Sequence, residues 1–202
     1  MRAFFETLNH FKDLLTLLLA SMGGAFALWR WMVEQKRRRV QHAQSLIKTF
    51  HERPNTIKAF EIIDTEGDVE FSVQNTKKRE VIDITDRFLI GALSTFDQQG
   101  GNTEKELIVR DILDDFFSDL STFQSHIEAD LIKLQDIRPY LEYWMRELTD
   151  RGRLRKHPFA EQTAKYLAFF GYNRVLALAS NMGYPFPIPK QSHGETNHRQ
   201  AG

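Results

Sequence analysis

The sequence predicts an all-α protein: one N-terminal transmembrane helix that continues into a stalk, followed by a cytoplasmic multi-helix bundle. Three observations carry this expectation. The run Leu14–Val33 is apolar and is followed at once by Lys36, Arg37, Arg38 and Arg39, the pattern of a membrane span closed by a stop-transfer signal. Beyond it, apolar residues recur at helical spacing as far as Gly183, with no long period-two segment. The sixteen phenylalanines fall within those spacings, where packing between helices accounts for them.

Residues 1–13 read as a short external N-terminus, because Arg2 and Lys12 are offset by Glu6 and Asp13. Leu14–Trp29 carries no charge over sixteen residues, about 24 Å of helix. Extension through Trp31, Met32 and Val33 approaches the ~30 Å of a hydrocarbon core. Arg30 then lies at the boundary with its guanidinium turned to the headgroups. Trp29, Arg30, Trp31, Lys36, Arg37, Arg38 and Arg39 are therefore expected as membrane-interface anchors, with lipids as partners. The positive-inside rule places the N-terminus outside the inner (plasma) membrane and the remaining chain in the cytoplasm. A cleaved signal peptide fits less well, since the positive charge follows the run. A buried core helix also fits less well, since the run is apolar on every face. Ala20, Gly24 and Ala27 share one stripe of the helix, and small residues at that spacing let two backbones approach for self-association.

Residues 34–53 form a basic segment and stalk. Val33, Val40 and Ile47 alternate with Ala43 and Phe50 at heptad spacing, over too few heptads to define a coiled coil. Pro54 ends this helix, and 54–183 follows as a helical domain. Ile57, Ala59, Phe60, Ile62 and Ile63 suit a short helix, and Asp64–Ser72 reads as a polar break containing Gly67. Lys77–Phe96 places Val81, Ile84, Phe88, Ala92 and Phe96 on one helical face, ended by Gly100 and Gly101. Thr103 with Glu106 has the form of a capping box. The helix it opens turns Leu107, Ile108, Ile112, Phe116, Phe117, Leu120 and Phe123 inward. Asp136 suits a cap ahead of Pro139, Tyr140, Leu141, Trp144 and Met145. Two further helices span Phe159–Phe170 and Tyr172–Asn181, with Gly171 between them and Gly183 as C-cap. Residues 184–202 form a proline-rich tail, extended at Pro185, Pro187 and Pro189 and disordered beyond.

The charge balance of zero hides a split. Residues 1–39 hold seven basic and three acidic side chains, leaving twenty basic and twenty-four acidic in 40–202. A mildly acidic main domain gives no electrostatic support to nucleic-acid binding. The absence of cysteine is compatible with a reducing compartment.

No catalytic signature stands out, so an enzymatic role is not expected, and neither is a cofactor. Asp111, Asp115 and Asp119 recur every four residues on one helix beside Asp114, a spacing that shares a face and is able to hold a divalent cation. No histidine completes the set, and a solvated acidic stripe is the simpler reading. Asp64, Glu66 and Asp68 lack the glycine and glutamate placement of a calcium loop. The seven histidines are scattered without metal-ligand spacing, so no metal site is expected. Arg151, Arg153, Arg155, Lys156 and His157 form the basic cluster of the main domain. Its four cations Arg151, Arg153, Arg155 and Lys156 are candidates for contact with an anion or with the inner leaflet.

The helix–Phe50-His-Glu-Arg-Pro54–helix arrangement over Ala43–Ala59, together with Pro139-Tyr-Leu-Glu-Tyr-Trp144, resembles the DUF4760-like class of uncharacterised bacterial single-span membrane proteins. The resemblance implies one N-terminal span and a helical cytoplasmic domain, and it lends no reaction, ligand or catalytic residue. The leading expectation is a membrane-anchored, non-enzymatic interaction or scaffold protein, with a protein partner or a homo-oligomer. A ligand-gated membrane effector sensing an anionic small molecule is the alternative, and a metal-dependent hydrolase ranks third.

Overall fold

Helix α1 runs without a break from Arg2 to Glu52 in the computed structural model, which describes residues 2–72, 79–95 and 102–187, apart from the side chains of 2–15, 17, 72, 79 and 80. Arg53 turns extended ahead of Pro54, as steric clash with a proline ring demands. Pro54 then opens helix α2 (Pro54–Asp64) from its first position, where the missing N–H is harmless. A two-stranded hairpin follows, β1 (Gly67–Ser72) and β2 (Arg79–Ile84), antiparallel with Val69 opposite Ile82. Five more helices complete the chain: α3 (Asp86–Ala92), α4 (Glu104–Glu128), α5 (Leu134–Leu148), α6 (His157–Phe169) and α7 (Asn173–Asn181). The described residues thus form seven helices and one hairpin.

Helix α4 is the axis of the core and packs against α2, α3 and α7. Its Val109, Leu113, Phe116, Phe117, Leu120 and Phe123 are buried, a 3.6-residue stripe that sees neighbours along its length. Leu107, expected inward, is exposed. The C-terminal part of α1 lies on α2 and α5. There Phe50 brings its ring to within 5.6 Å of Phe60, 5.8 Å of Phe116 and 5.1 Å of Phe123, in the range of favourable aromatic pairs. The Thr103–Glu106 capping box opens α4 in both directions. Gly171 and Gly183 end α6 and α7 with φ of +78° and +83°, the left-handed conformation that a side chain resists.

Two expectations are corrected. Among the described residues no helix is long and apolar enough to cross a membrane. The uncharged run Leu14–Trp29 is about 24 Å of helix against the ~30 Å of a hydrocarbon core. Arg30, Glu34 and Lys36 then follow in quick succession. Leu14, Leu15 and Leu17, on which the longer span depended, lie outside the residues whose side chains are described. The stop-transfer reading, the outside-to-inside orientation, the inner-membrane location and the lipid partners are withdrawn with the span. So are the membrane-anchored scaffold and the ligand-gated membrane effector.

The second correction concerns 67–84, expected as a polar break and the start of a helix. Val69, Phe71, Ile82 and Ile84 are buried while Glu70, Val81 and Asp83 face out, the period-two alternation of a half-buried hairpin. Val81, Ile84 and Phe88 also satisfy helical spacing, which is why the periodicity misleads here. Helix α3 starts only at Asp86, capped by the Thr85 side chain accepting from the Phe88 N–H. Phe96, Gly100 and Gly101 lie outside the described residues, as does the tail from Ile188 onward.

Candidate functional site: the uncovered half of helix α1

The heptad positions read over Val33–Phe50 extend backwards through Leu19, Met22, Phe26 and Trp29. One stripe therefore runs Leu19, Met22, Phe26, Trp29, Val33, Lys36, Val40, Ala43, Ile47, Phe50, with a single interruption at Lys36. The structure treats its two ends differently. Ala43, Ile47 and Phe50 are 1–7% exposed beneath the domain, whereas Leu19, Met22, Phe26, Trp29 and Val33 are 50–66% exposed. The same apolar seam is thus closed at one end and open at the other.

The open half is apolar beyond the seam, since Leu18, Leu28, Trp31 and Met32 are exposed as well. Together these nine side chains present about 1,000 Å² of accessible surface, taking 150–250 Å² for each large side chain as a guide. At 100° per residue, Ala20, Gly24 and Ala27 lie on the face opposite the seam. A Cβ added at Gly23 or Gly24 would meet nothing within 4 Å, so that face is uncovered too.

Of the residues expected as membrane anchors, Arg38 and Arg39 have ion-pair partners and Trp31 borders a groove. Arg39 Nε donates to Asp136 Oδ2 at 3.2 Å and ties α1 to the first turn of α5, while Arg38 pairs with Glu34 on its own helix at 3.2 Å. Trp31, Gln35, Arg38, Arg39 and His42 line one wall of an open groove of about 540 Å³, with Asp130 and Leu131 opposite. This groove lies where the uncovered half of α1 meets the domain.

The basic cluster separates into an inward and an outward part. Arg151, Arg153 and Lys156 face solvent, but the Arg155 side chain is 1% exposed. Its guanidinium donates to the carbonyls of Ile63 (3.0 Å), Thr65 (2.6 Å) and Ile62 and to Asp86 Oδ1 (3.1 Å). A cation thereby closes the C-terminal end of α2, where unpaired carbonyls and the helix dipole favour one. Beneath the same loop the buried Glu147 carboxylate accepts the N–H groups of Arg153 (3.0 Å) and Leu154 (3.1 Å). A Cβ at Gly152 would overlap that carboxylate, so a larger residue there forces the Glu147 side chain to shift. Arg110 repeats the device at the end of α3, donating to the carbonyls of Ala92 (2.8 Å) and Ser94.

The acidic residues of α4 also have structural partners. Asp119 accepts from Arg53 and, at 3.1 Å, from the Thr56 hydroxyl, setting a carboxylate at the N-terminal end of α2. Burial raises its pKa, opposed by the Arg53 charge and the Thr56 hydrogen bond. Asp115 accepts from Asn55, and Asp111 is exposed. Asp114 Oδ1 accepts from the hydroxyls of Tyr166 (2.7 Å) and Tyr172 (3.2 Å). Burial raises the Asp114 pKa. Burial, with the facing carboxylate, pushes the Tyr172 phenol up to about 12. Among the described residues no group of three or more His, Asp or Glu side chains is able to hold a metal ion, so the hydrolase reading finds no support in this stripe.

The seam was missed in the sequence because a run apolar on every face conceals a periodicity that only differential burial brings out. Neither a family model, nor a curated protein, nor a solved structure matches the chain, and the DUF4760-like resemblance is withdrawn together with the span it implied.

Proposed function

We propose that this protein works by assembly, with copies of the chain associating through the uncovered half of α1. The observation that carries the reading is the single heptad seam, buried by the domain over Ala43–Phe50 and open over Leu19–Val33. Water on one half of a seam whose other half forms a core is an unbalanced state, and a partner helix with the same spacing restores the balance. A second copy of α1 supplies that spacing by construction. The five open seam side chains supply about half of the ~1,000 Å² per chain, short of the ~800 Å² per partner of a stable interface. Leu18, Leu28, Trp31 and Met32 lie off the seam, so bundles of more than two helices bury more of this surface than a simple pair. The Ala20, Gly24 and Ala27 face then allows close approach of a further helix.

The test is sedimentation equilibrium of the full chain from about 1 to 100 μM. A dimer or larger species is expected, reverting to monomer in the double substitution Leu19→Glu/Phe26→Glu with its circular dichroism retained. A wild-type chain that stays monomeric across that range overturns the proposal, as does a variant that assembles unchanged.

A further inference from the structure

We propose that the docking face of α1 continues over the domain, where the groove between α1 and α5 receives the same helix of a second copy that lies along Phe26 and Val33. This rests on assembly through α1 and adds the part that the domain plays in it.

The first observation is angular. At 100° per residue, Phe26, Val33, Val40, Gln44, Ile47 and His51 lie within about 60° of one another around α1. A heptad seam on a straight helix drifts by about 20° per heptad. From Met22 to Ala43 this drift carries Ala43 and Phe50 beneath the domain. Gln44 and His51, each one residue further on, stay in line with the open face and are exposed. The domain does not close over them. An open groove of about 390 Å³ lies there, with Gln44, Ile47, Lys48 and His51 on its α1 side and Tyr140 of α5 as its other wall.

The groove is set up for an apolar helix. Its floor is Ile47, 7% exposed, and its wall Tyr140 is 47% exposed, an aromatic of the kind that contributes most when an interface covers it. His51 is held in place, its Nδ1 2.9 Å from the Ile47 carbonyl and its ring centroid 5.5 Å from Phe50 and 5.4 Å from Phe60. Lys48 pairs with Glu52 at 3.8 Å, so the rim is polar and its charge is offset.

Area and length select the occupant. The five open seam side chains fall short of the ~800 Å² per partner of a stable interface, and the exposed side chains of Gln44, Lys48, His51 and Tyr140 add to them only for a partner that runs on past Val40. From Leu19 to His51 is about 48 Å of helix. Among the described residues α1, with 51 residues, has that length, whereas α4, the next longest at 25, is committed to the core.

The experiment is sedimentation equilibrium of the full chain carrying Tyr140→Glu, with Leu107→Glu as a control at an exposed apolar position that does not line the groove. Tyr140→Glu is expected to weaken assembly about tenfold or more with its circular dichroism retained, and Leu107→Glu to leave assembly unchanged. The chain has no cysteine, so Gln44→Cys accepts a single polarity-sensitive dye, whose emission should move to the blue as assembly proceeds. Tyr140→Glu chains that assemble as tightly as wild type, equal weakening by Leu107→Glu, or a dye at position 44 that is blind to assembly each overturn the extension onto the domain and leave assembly through Leu19–Val33 standing. A wild-type chain that stays monomeric overturns both.

Discussion

Replacing Arg155 with alanine tests whether the loop between α5 and α6 is a surface feature or an internal prop. The side chain is 1% exposed and its guanidinium donates to three main-chain carbonyls and to Asp86. Alanine removes every one of these donors. Asp86 is 21% exposed at its side chain and keeps the Lys156 N–H at 3.1 Å, so water and the backbone recover part of its loss. The carbonyls of Ile62 and Ile63 belong to the last turn of α2 and have no comparable substitute. Removing one partner from a buried, hydrogen-bonded charge pair costs about 3–5 kcal/mol. For a chain of this length each kcal/mol is worth roughly 2–4 °C in the unfolding midpoint, so a fall of about 10 °C is expected. Urea denaturation of wild type, Arg155→Ala and Arg155→Lys, with Arg153→Ala as the solvent-facing control, reads the difference. Lysine keeps the charge and lacks the planar fork, so it should restore less than half. Arg153→Ala should stay within about 0.5 kcal/mol of wild type. Equal losses for Arg155→Ala and Arg153→Ala would refute the reasoning.

Two other outcomes follow from neighbouring geometry. Gly152→Ala drives a methyl group into the Glu147 carboxylate, and an overpacked contact of this kind should cost about 1–3 kcal/mol by urea denaturation. Glu147→Gln should not relieve it, since the amide fills the same space. Asp114 has its folded pKa raised above 3.8 by burial, so the folded chain still holds a proton that the unfolded chain has released. Stability from this group is present below the unfolded value and lost as pH rises through the folded one. Asp114→Asn retains an acceptor for both tyrosines and does not titrate. Its stability should therefore lack that downward slope above pH 3.8, and a slope identical to wild type would count against the assignment.

The helices were legible in sequence where local chemistry marks their ends. Thr103 and Glu106, Pro54, Gly171 and Gly183 each act through their own backbone geometry, and each ends or opens a helix as its chemistry requires. The hairpin was not legible because its strands are six residues long, and Val81, Ile84 and Phe88 fit a helical face equally well. Only the burial of Ile82 beside the exposure of Val81 separates the two periods. Arg155 was indistinguishable from Arg151 and Arg153, since position in a basic run says nothing of which cation turns inward. The α4 carboxylates share one helical spacing in the sequence, whereas the fold gives Asp114, Asp115 and Asp119 to different neighbours.

Helix α1 passes from its covered to its uncovered half without a proline or glycine between Ala25 and Glu52, so the two halves are locked in angular phase. A single residue inserted between Val33 and Val40 would leave both halves intact but turn one against the other by about 100°. Seven inserted residues would bring them almost back into line. The helix is in this sense a crankshaft. The direction in which the domain faces an assembled neighbour is set by the count of residues between Val33 and Val40, independently of what those residues are.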